Sequence, residues 1–201
     1  MKKIVVLGPE STGKSFLSQQ LATHYKTQWV PEYAREYLQK NGTDYVYEDL
    51  YEIAMGQVDS EENIVRSWQL SDGSPDSFWV PPVSKKRPNL QPSTFNLQPL
   101  FLDTDLYTIK IWSEISFNSC DNRILTQIAK RRYDVYLLCN TDLPWAPDPL
   151  REYPDLRSRQ KIYNYYKDVL VNQEMPWVDI SGNYEERFLK AVEAVNRIIG
   201  Y

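Results

Sequence analysis

Ile4-Val5-Val6-Leu7-Gly8-Pro9-Glu10-Ser11-Thr12-Gly13-Lys14-Ser15-Phe16-Leu17 is the stretch that decides the fold. Its first four residues form a continuous apolar, mostly β-branched run, the pattern of a strand buried on both faces of a parallel sheet. Gly8-Pro9 stops that run. From Lys14 to Tyr25 the residues Phe16, Leu17, Leu21 and Tyr25 recur near helical spacing, so a helix is expected there. The residues between match G-x-x-x-x-G-K-[ST] in full and stand in the strand-to-helix context that gives this motif its meaning. Gly8 and Gly13 permit turns that a Cβ would obstruct. Successive backbone N–H groups then face one concavity at the positive end of a helix dipole, which is a cradle for phosphate. Lys14 adds a cation for the β- and γ-phosphates, and the Ser15 hydroxyl is placed to ligate Mg²⁺.

The remaining chain alternates strands and helices. Gln28-Trp29-Val30 reads as a short second strand ended by Pro31, and Leu100-Phe101-Leu102 as a buried strand ended by Asp103. Val135–Cys139 and Trp177–Ile180 complete the set. Helices are expected over Tyr33–Gln39, Tyr47–Trp68, Leu106–Ser116, Asn122–Lys130, Ser158–Val171 and Tyr184–Ile199. This order implies an α/β three-layer sandwich, a mostly parallel sheet with helices on both faces. The helix-rich stretch between the second and third strands is expected to cover a substrate. With 201 residues, the chain fits one domain spanning 1–201. From about Ser71 to Pro99 the composition shifts to Pro, Ser, Asn and Gln and holds six of the thirteen prolines, so a loose insertion is expected there.

Composition narrows the class. A formal net charge of −4 argues against nucleic acid as the main partner, because backbone binding needs a basic face. The two cysteines, Cys120 and Cys139, lack CxxC spacing, and His24 is the single histidine, so a Cys/His zinc site is not expected. No apolar run has the length of a membrane span or a secretory segment, and a reducing cytoplasm is the expected compartment. The sequence carries no signal for an oligomeric state.

Two more groups of residues bear on chemistry. Asp103 ends an apolar strand where the ligand crevice of a parallel sheet lies, and is the candidate second metal anchor. Asp105 competes for that role, and Asp103 or Thr104 could instead cap the following helix. Pro31-Glu32-Tyr33-Ala34-Arg35-Glu36 also falls at the strand ends. Glu32 there could orient or deprotonate an attacking hydroxyl, and Arg35 could contact phosphate or ribose. Acids in a first helical turn also serve the dipole without further function. The segment 142–159 has the content of a lid: four prolines followed or interleaved by Arg151, Arg157 and Arg159. Guanidinium groups suit a phosphoryl group whose charge spreads over three oxygens, and Arg151 is the first candidate. The same arginines could pair with Asp148, Glu152 and Asp155 at a solvated helix start.

Taken together, these residues resemble the ribosylnicotinamide kinase domain of the bacterial NadR-type proteins. Gly8–Ser15, including Glu10, resembles that family's P-loop. Glu32-Tyr33-x-Arg35-Glu36 resembles its Glu-Tyr-x-Arg-Glu block, Phe101–Asp105 its second-acid strand, and Asp148-x-Leu150-Arg151 its lid. The resemblance implies a thymidylate-kinase-like P-loop fold. It also implies Mg²⁺- and ATP-dependent phosphorylation of the 5′-hydroxyl of nicotinamide riboside, giving nicotinamide mononucleotide. ATP is then expected at Gly8, Glu10, Ser11, Thr12, Gly13, Lys14, Ser15 and Phe16, with Mg²⁺ at Ser15 and Asp103. A nucleoside-like acceptor is expected at Glu32, Tyr33, Arg35 and Asp105, and the catalytic set is Lys14, Glu32, Asp103 and Arg151. Adenine is expected near Ser181-Gly182-Asn183. The adenylyltransferase and DNA-binding domains carried by longer members are not expected ahead of a motif that starts at residue 8. Pro31 stands where the family pattern has tryptophan, so a kinase for another nucleoside or nucleotide stays open beside this reading. A regulatory ATP-binding module is the third alternative. The guanine signature Asn-Lys-x-Asp is missing, which speaks against a GTPase switch.

Overall fold

The computed structural model describes residues 1–70 and 98–200. In chain order the elements are β1 (Lys2–Leu7), α1 (Lys14–Tyr25), β2 (Trp29–Val30), α2 (Tyr33–Asn41), α3 (Asp49–Leu70) and β3 (Pro99–Asp103). They continue with α4 (Leu106–Phe117), α5 (Asn122–Lys130), β4 (Val135–Cys139), α6 (Leu156–Val171), β5 (Trp177–Ile180) and α7 (Tyr184–Ile199). The five strands make one sheet in the order β2-β3-β1-β4-β5, and every pairing is parallel.

The apolar runs behave as expected for strands covered on both faces. Ile4 and Val6 point to a layer formed with α1 and α7, where they meet Leu17, Leu21, Ala191 and Val195. Val5 and Leu7 point the other way, to a layer with Ile162, Tyr166 and Leu170 of α6. The four apolar side chains of β1, Ile4 to Leu7, are fully buried. Burying a side chain of this size stabilises the fold by about 1.5–3 kcal/mol relative to exposure. A third apolar cluster joins α2, α3, α4 and α5 through Leu50, Ile53, Leu106, Ile109 and Ile124. Its α2 and α3 are the helices expected between strands two and three, α4 and α5 follow β3, and α2 gives one wall of the cavity described below.

Parallel register brings the strand ends together. Val6 of β1 faces Asp103 of β3, and the Thr104 N–H donates to the Val6 carbonyl at 3.0 Å. The loop after β1 and the carboxylate ending β3 therefore share the C-terminal edge of the sheet, where ligands bind in such folds. Most of the insertion expected at about 71–99 lies outside the described residues, and its last residue, Pro99, opens β3. Among the described residues, no helix is long and apolar enough to cross a membrane.

Candidate active site

The Gly8–Ser15 loop wraps the N-terminus of α1. Gly8 sits at φ +140, and a Cβ there would lie 2.6 Å from the Cys139 carbonyl oxygen, so the close approach of β4 requires glycine. Gly13 caps α1 from the left-handed region at φ 78, and no side chain caps the helix. The first-turn N–H groups thus have no side-chain acceptor of their own, the arrangement that accepts an anion. The Lys14 Nζ donates to the Pro9 carbonyl at 2.9 Å, and the buried Thr12 hydroxyl donates to the same oxygen at 2.7 Å.

Beside this cradle, Asp103 is 1% exposed, and its Oδ1 has no hydrogen-bond partner. Burial raises its pKa above the ordinary carboxylate value, and the neighbouring Glu32 carboxylate adds to the rise. Lys14, the Ser15 hydroxyl and Arg35 pull in the opposite direction. A buried carboxylate oxygen without a donor is costly unless a cation or proton meets it. Ser15 and Asp103 supply the hard oxygen donors that Mg²⁺ takes alongside phosphate oxygens, so the residues fit that ion.

The cradle opens into a cavity of about 570 Å³. Its far wall is Ala34, Arg35 and Leu38 of α2 together with Thr108, Ile111 and Trp112 of α4. Glu32 caps α2 without spending its carboxylate on a cap bond, and it lines the cavity. The backbone around it is fixed from behind. The buried Gln57 of α3 accepts from the Tyr33 N–H at 2.8 Å. The Tyr33 ring lies over Gly56, where a Cβ would come within 2.0 Å of it.

The proline-rich segment after β4 closes the remaining side. Arg35 pairs with Asp148 at 2.6 Å. The Leu150 N–H and that guanidinium hold the Asp148 pKa below its usual value. Arg151 lines the cavity and donates to Ser11 Oγ at 3.5 Å and to the Ala146 carbonyl. Glu10 Oε2 accepts from the Glu152 and Tyr153 N–H groups at 2.9 and 3.1 Å. Burial nevertheless raises the Glu10 pKa, because those two bonds and Lys14 only partly offset the loss of water.

The structure gathers Gly8, Glu10, Ser11, Thr12, Gly13, Lys14, Ser15, Phe16, Glu32, Arg35, Asp103 and Arg151 around one cavity. Two of the expected residues lie elsewhere. Tyr33 does not reach the cavity, because Gly56 offers its ring a tight seat on α3. Asp105 turns away as well. It caps α4 by accepting from the Tyr107 N–H at 3.0 Å, and it accepts from the Tyr136 hydroxyl at 3.3 Å in a separate, smaller pocket. Burial pushes its pKa up to about 7. Near the expected adenine position, Asn183 is spent on capping α7, and Tyr184 rather than Ser181-Gly182-Asn183 lines the cavity. Tyr184 meets Phe16 edge-to-face at 5.3 Å between ring centroids.

Three features carry no mark in the sequence. Arg187, 3% exposed, donates to the carbonyls of Thr12 (2.9 Å), Asn140 (2.8 Å) and Gly182 (2.7 Å), and pairs with Asp142. It thereby braces the phosphate cradle from α7. The second is the Glu10 contact. The third is a chain from the Trp112 indole N–H to the Tyr45 hydroxyl at 2.7 Å, and from that hydroxyl to Glu152 at 3.0 Å. Gly56 alone offered a sequence signal, a glycine inside a helical pattern.

Comparison with known proteins agrees with this architecture. The chain matches the AAA domain family over residues 3–72 and 91–187. It is 26% identical over 205 residues to the trifunctional NAD biosynthesis/regulator protein NadR of Salmonella typhimurium, and equally to that of Escherichia coli. Those alignments cover 100% of this chain and 43% of the relatives, so the chain spans less than half their length. Among solved structures, NadR in complex with NR superposes with a TM-score of 0.73 at 22% identity, covering 100% of this chain and 50% of that one. NadR in complex with NAD and AMP-PNP gives 0.67 at 20% identity, with 100% and 50% covered. Thymidylate kinase from Ehrlichia chaffeensis gives 0.60 at 10% identity, with 96% and 98% covered. The fold is thus that of P-loop nucleoside and nucleotide kinases, and the resemblance to NadR-type proteins extends along the whole chain. The chain belongs to the AAA domain family of P-loop proteins.

Proposed function

We propose that this protein transfers the γ-phosphoryl group of ATP to the 5′-hydroxyl of nicotinamide riboside, giving nicotinamide mononucleotide and ADP. The observation that carries the reading is convergence. The phosphate cradle, the Ser15–Asp103 pair, the Glu32 carboxylate and the Arg151 guanidinium meet around a single cavity. Five carboxylates and three cationic side chains line it, a balance that tolerates a positively charged pyridinium ring.

Backbone N–H groups at the start of α1 and the Lys14 ammonium bind the polyphosphate. Glu32 accepts the proton of the acceptor hydroxyl as its oxygen bonds to the γ-phosphorus and the bond to the β-phosphate oxygen breaks. Arg151 stabilises charge on the transferring group. Ser15 and Asp103 would hold Mg²⁺, which when bound neutralises charge on the phosphate oxygens. The segment 142–159 excludes water as a lid, and the reaction belongs in the cytoplasm.

Pro31, where the family pattern has tryptophan, favours one alternative, a kinase for another nucleoside or nucleotide. Assay of ATP-dependent phosphorylation across a panel of nucleosides and nucleotides decides between them. The account expects nicotinamide riboside to give the highest kcat/KM. Turnover of another acceptor alone would replace the substrate and keep the chemistry.

A further inference from the structure

Glu10 is an odd residue to find in a phosphate cradle. An ionised carboxylate is an acceptor only, so it cannot hydrogen-bond phosphate oxygens, and its charge repels a triphosphate. Its partners lie elsewhere. Oε2 takes the N–H groups of Glu152 and Tyr153, 142 and 143 positions along the chain. Those two residues follow directly on Arg151. Charge-assisted bonds of this kind are about twice as strong as neutral ones. Next to Glu10, Ser11 Oγ accepts from the Ala146 N–H at 2.8 Å and from Arg151 Nη1 at 3.5 Å. The phosphate loop therefore grips the lid on both sides of the arginine, by backbone on one side and by backbone and guanidinium on the other. The lid residue held by Glu10 also reaches the acceptor wall, since the Glu152 carboxylate takes the Tyr45 hydroxyl that holds Trp112.

We propose that Glu10 is a positioning residue and not an ATP ligand: its carboxylate fixes the Glu152–Tyr153 backbone so that Arg151 stays over the phosphate cradle. The chemical part of this inference rests on the function proposed above, because it needs Arg151 to act on the transferring group. Glu10 earns its place in the loop by ordering the lid, and the repulsion it exerts on the polyphosphate is offset by the cation it holds there.

Two measurements on the full chain test it. Hydrogen exchange compares wild type with Glu10→Ala. Faster exchange is expected across residues 146–153, with β1 and β4 unchanged. Kinetics then compare Glu10→Ala, Glu10→Gln, Arg151→Ala and the double variant. Glu10→Ala is expected to lower kcat by about tenfold while moving the KM for ATP less, and Glu10→Gln, which keeps a carbonyl acceptor, to recover most of the loss. In the Arg151→Ala background, Glu10→Ala is expected to cost less than about twofold, since the two act as one unit. Unchanged exchange at 146–153 overturns the proposal, and so does an equal cost of Glu10→Ala in both backgrounds. If wild type turns over no acceptor, the functional reading fails instead, and the exchange result alone decides whether Glu10 sets the lid.

Discussion

Asp103 and Asp105 stand two residues apart, and both carry raised pKa values for the same leading reason, burial. Their surroundings separate their jobs. Asp103 keeps an oxygen without a donor and faces Ser15 and Lys14, whereas Asp105 spends its oxygens on the Tyr107 N–H and the Tyr136 hydroxyl. Asp105 gives a pH prediction with a definite sign. Its pKa rises from 3.8 to about 7 on folding, so the native state binds its proton more tightly than the unfolded chain does. The stability it contributes is full below 3.8 and is lost as pH rises through about 7. Asp105→Asn keeps the capping oxygen and removes the charge. The variant is expected to unfold at higher urea than wild type at about pH 8, by roughly 1–3 kcal/mol, with the difference vanishing near about pH 4. A variant less stable than wild type at the higher pH would show that the charged form is favoured in the fold.

At the scale of elements, α3 shapes the site without touching it. Gln57 and Gly56 set the course of the chain from Pro31 through Tyr33 and so aim Glu32. Intrinsic propensity alone would make Gly56→Ala stabilising by about 1 kcal/mol in a helix interior. The added methyl would fall 2.0 Å from the Tyr33 ring, and overpacking of this kind costs about 1–3 kcal/mol. A lower melting temperature and a reduced kcat are therefore expected together, read by calorimetry and by turnover. A rise in melting temperature with unchanged turnover would remove α3 from the account of the site. Helix ends follow from equally local chemistry. Helix α2 runs on past Gln39 to Asn41 and stops at Gly42 with φ 90. Helix α6 starts at Leu156, ahead of the expected Ser158, because Asp155 caps it by accepting from the Ser158 N–H at 2.8 Å.

Across the whole molecule, the frame was legible because its signals are local. β1, β3 and β4 are built on the apolar runs Ile4–Leu7, Leu100–Leu102 and Val135–Cys139, and buried parallel strands have that pattern. The phosphate cradle was legible because glycine at fixed spacing has a backbone reason. What stayed hidden are contacts made by residues far apart in the chain. No periodicity links Glu10 to Glu152, Arg187 to Thr12 at a separation of 175, or Tyr45 to Trp112. Tyr33, expected at the site from the Glu-Tyr-x-Arg-Glu resemblance, and Asp105, expected there as the neighbour of Asp103, do not line the cavity. Tyr33 opens α2 and packs its ring on Gly56, while the left-handed turn at Thr104 (φ 73) leads Asp105 into its place as the cap of α4. The account as a whole rests on Gly8–Ser15 acting as a cage of amide hydrogens completed by the Lys14 ammonium. Titration calorimetry of magnesium-ATP into wild type and Lys14→Ala tests it most directly. The account predicts one site per chain in wild type, an affinity lower by about tenfold or more in Lys14→Ala, and an unchanged melting temperature. No heat in wild type at millimolar nucleotide, or equal affinity in both proteins, would contradict it.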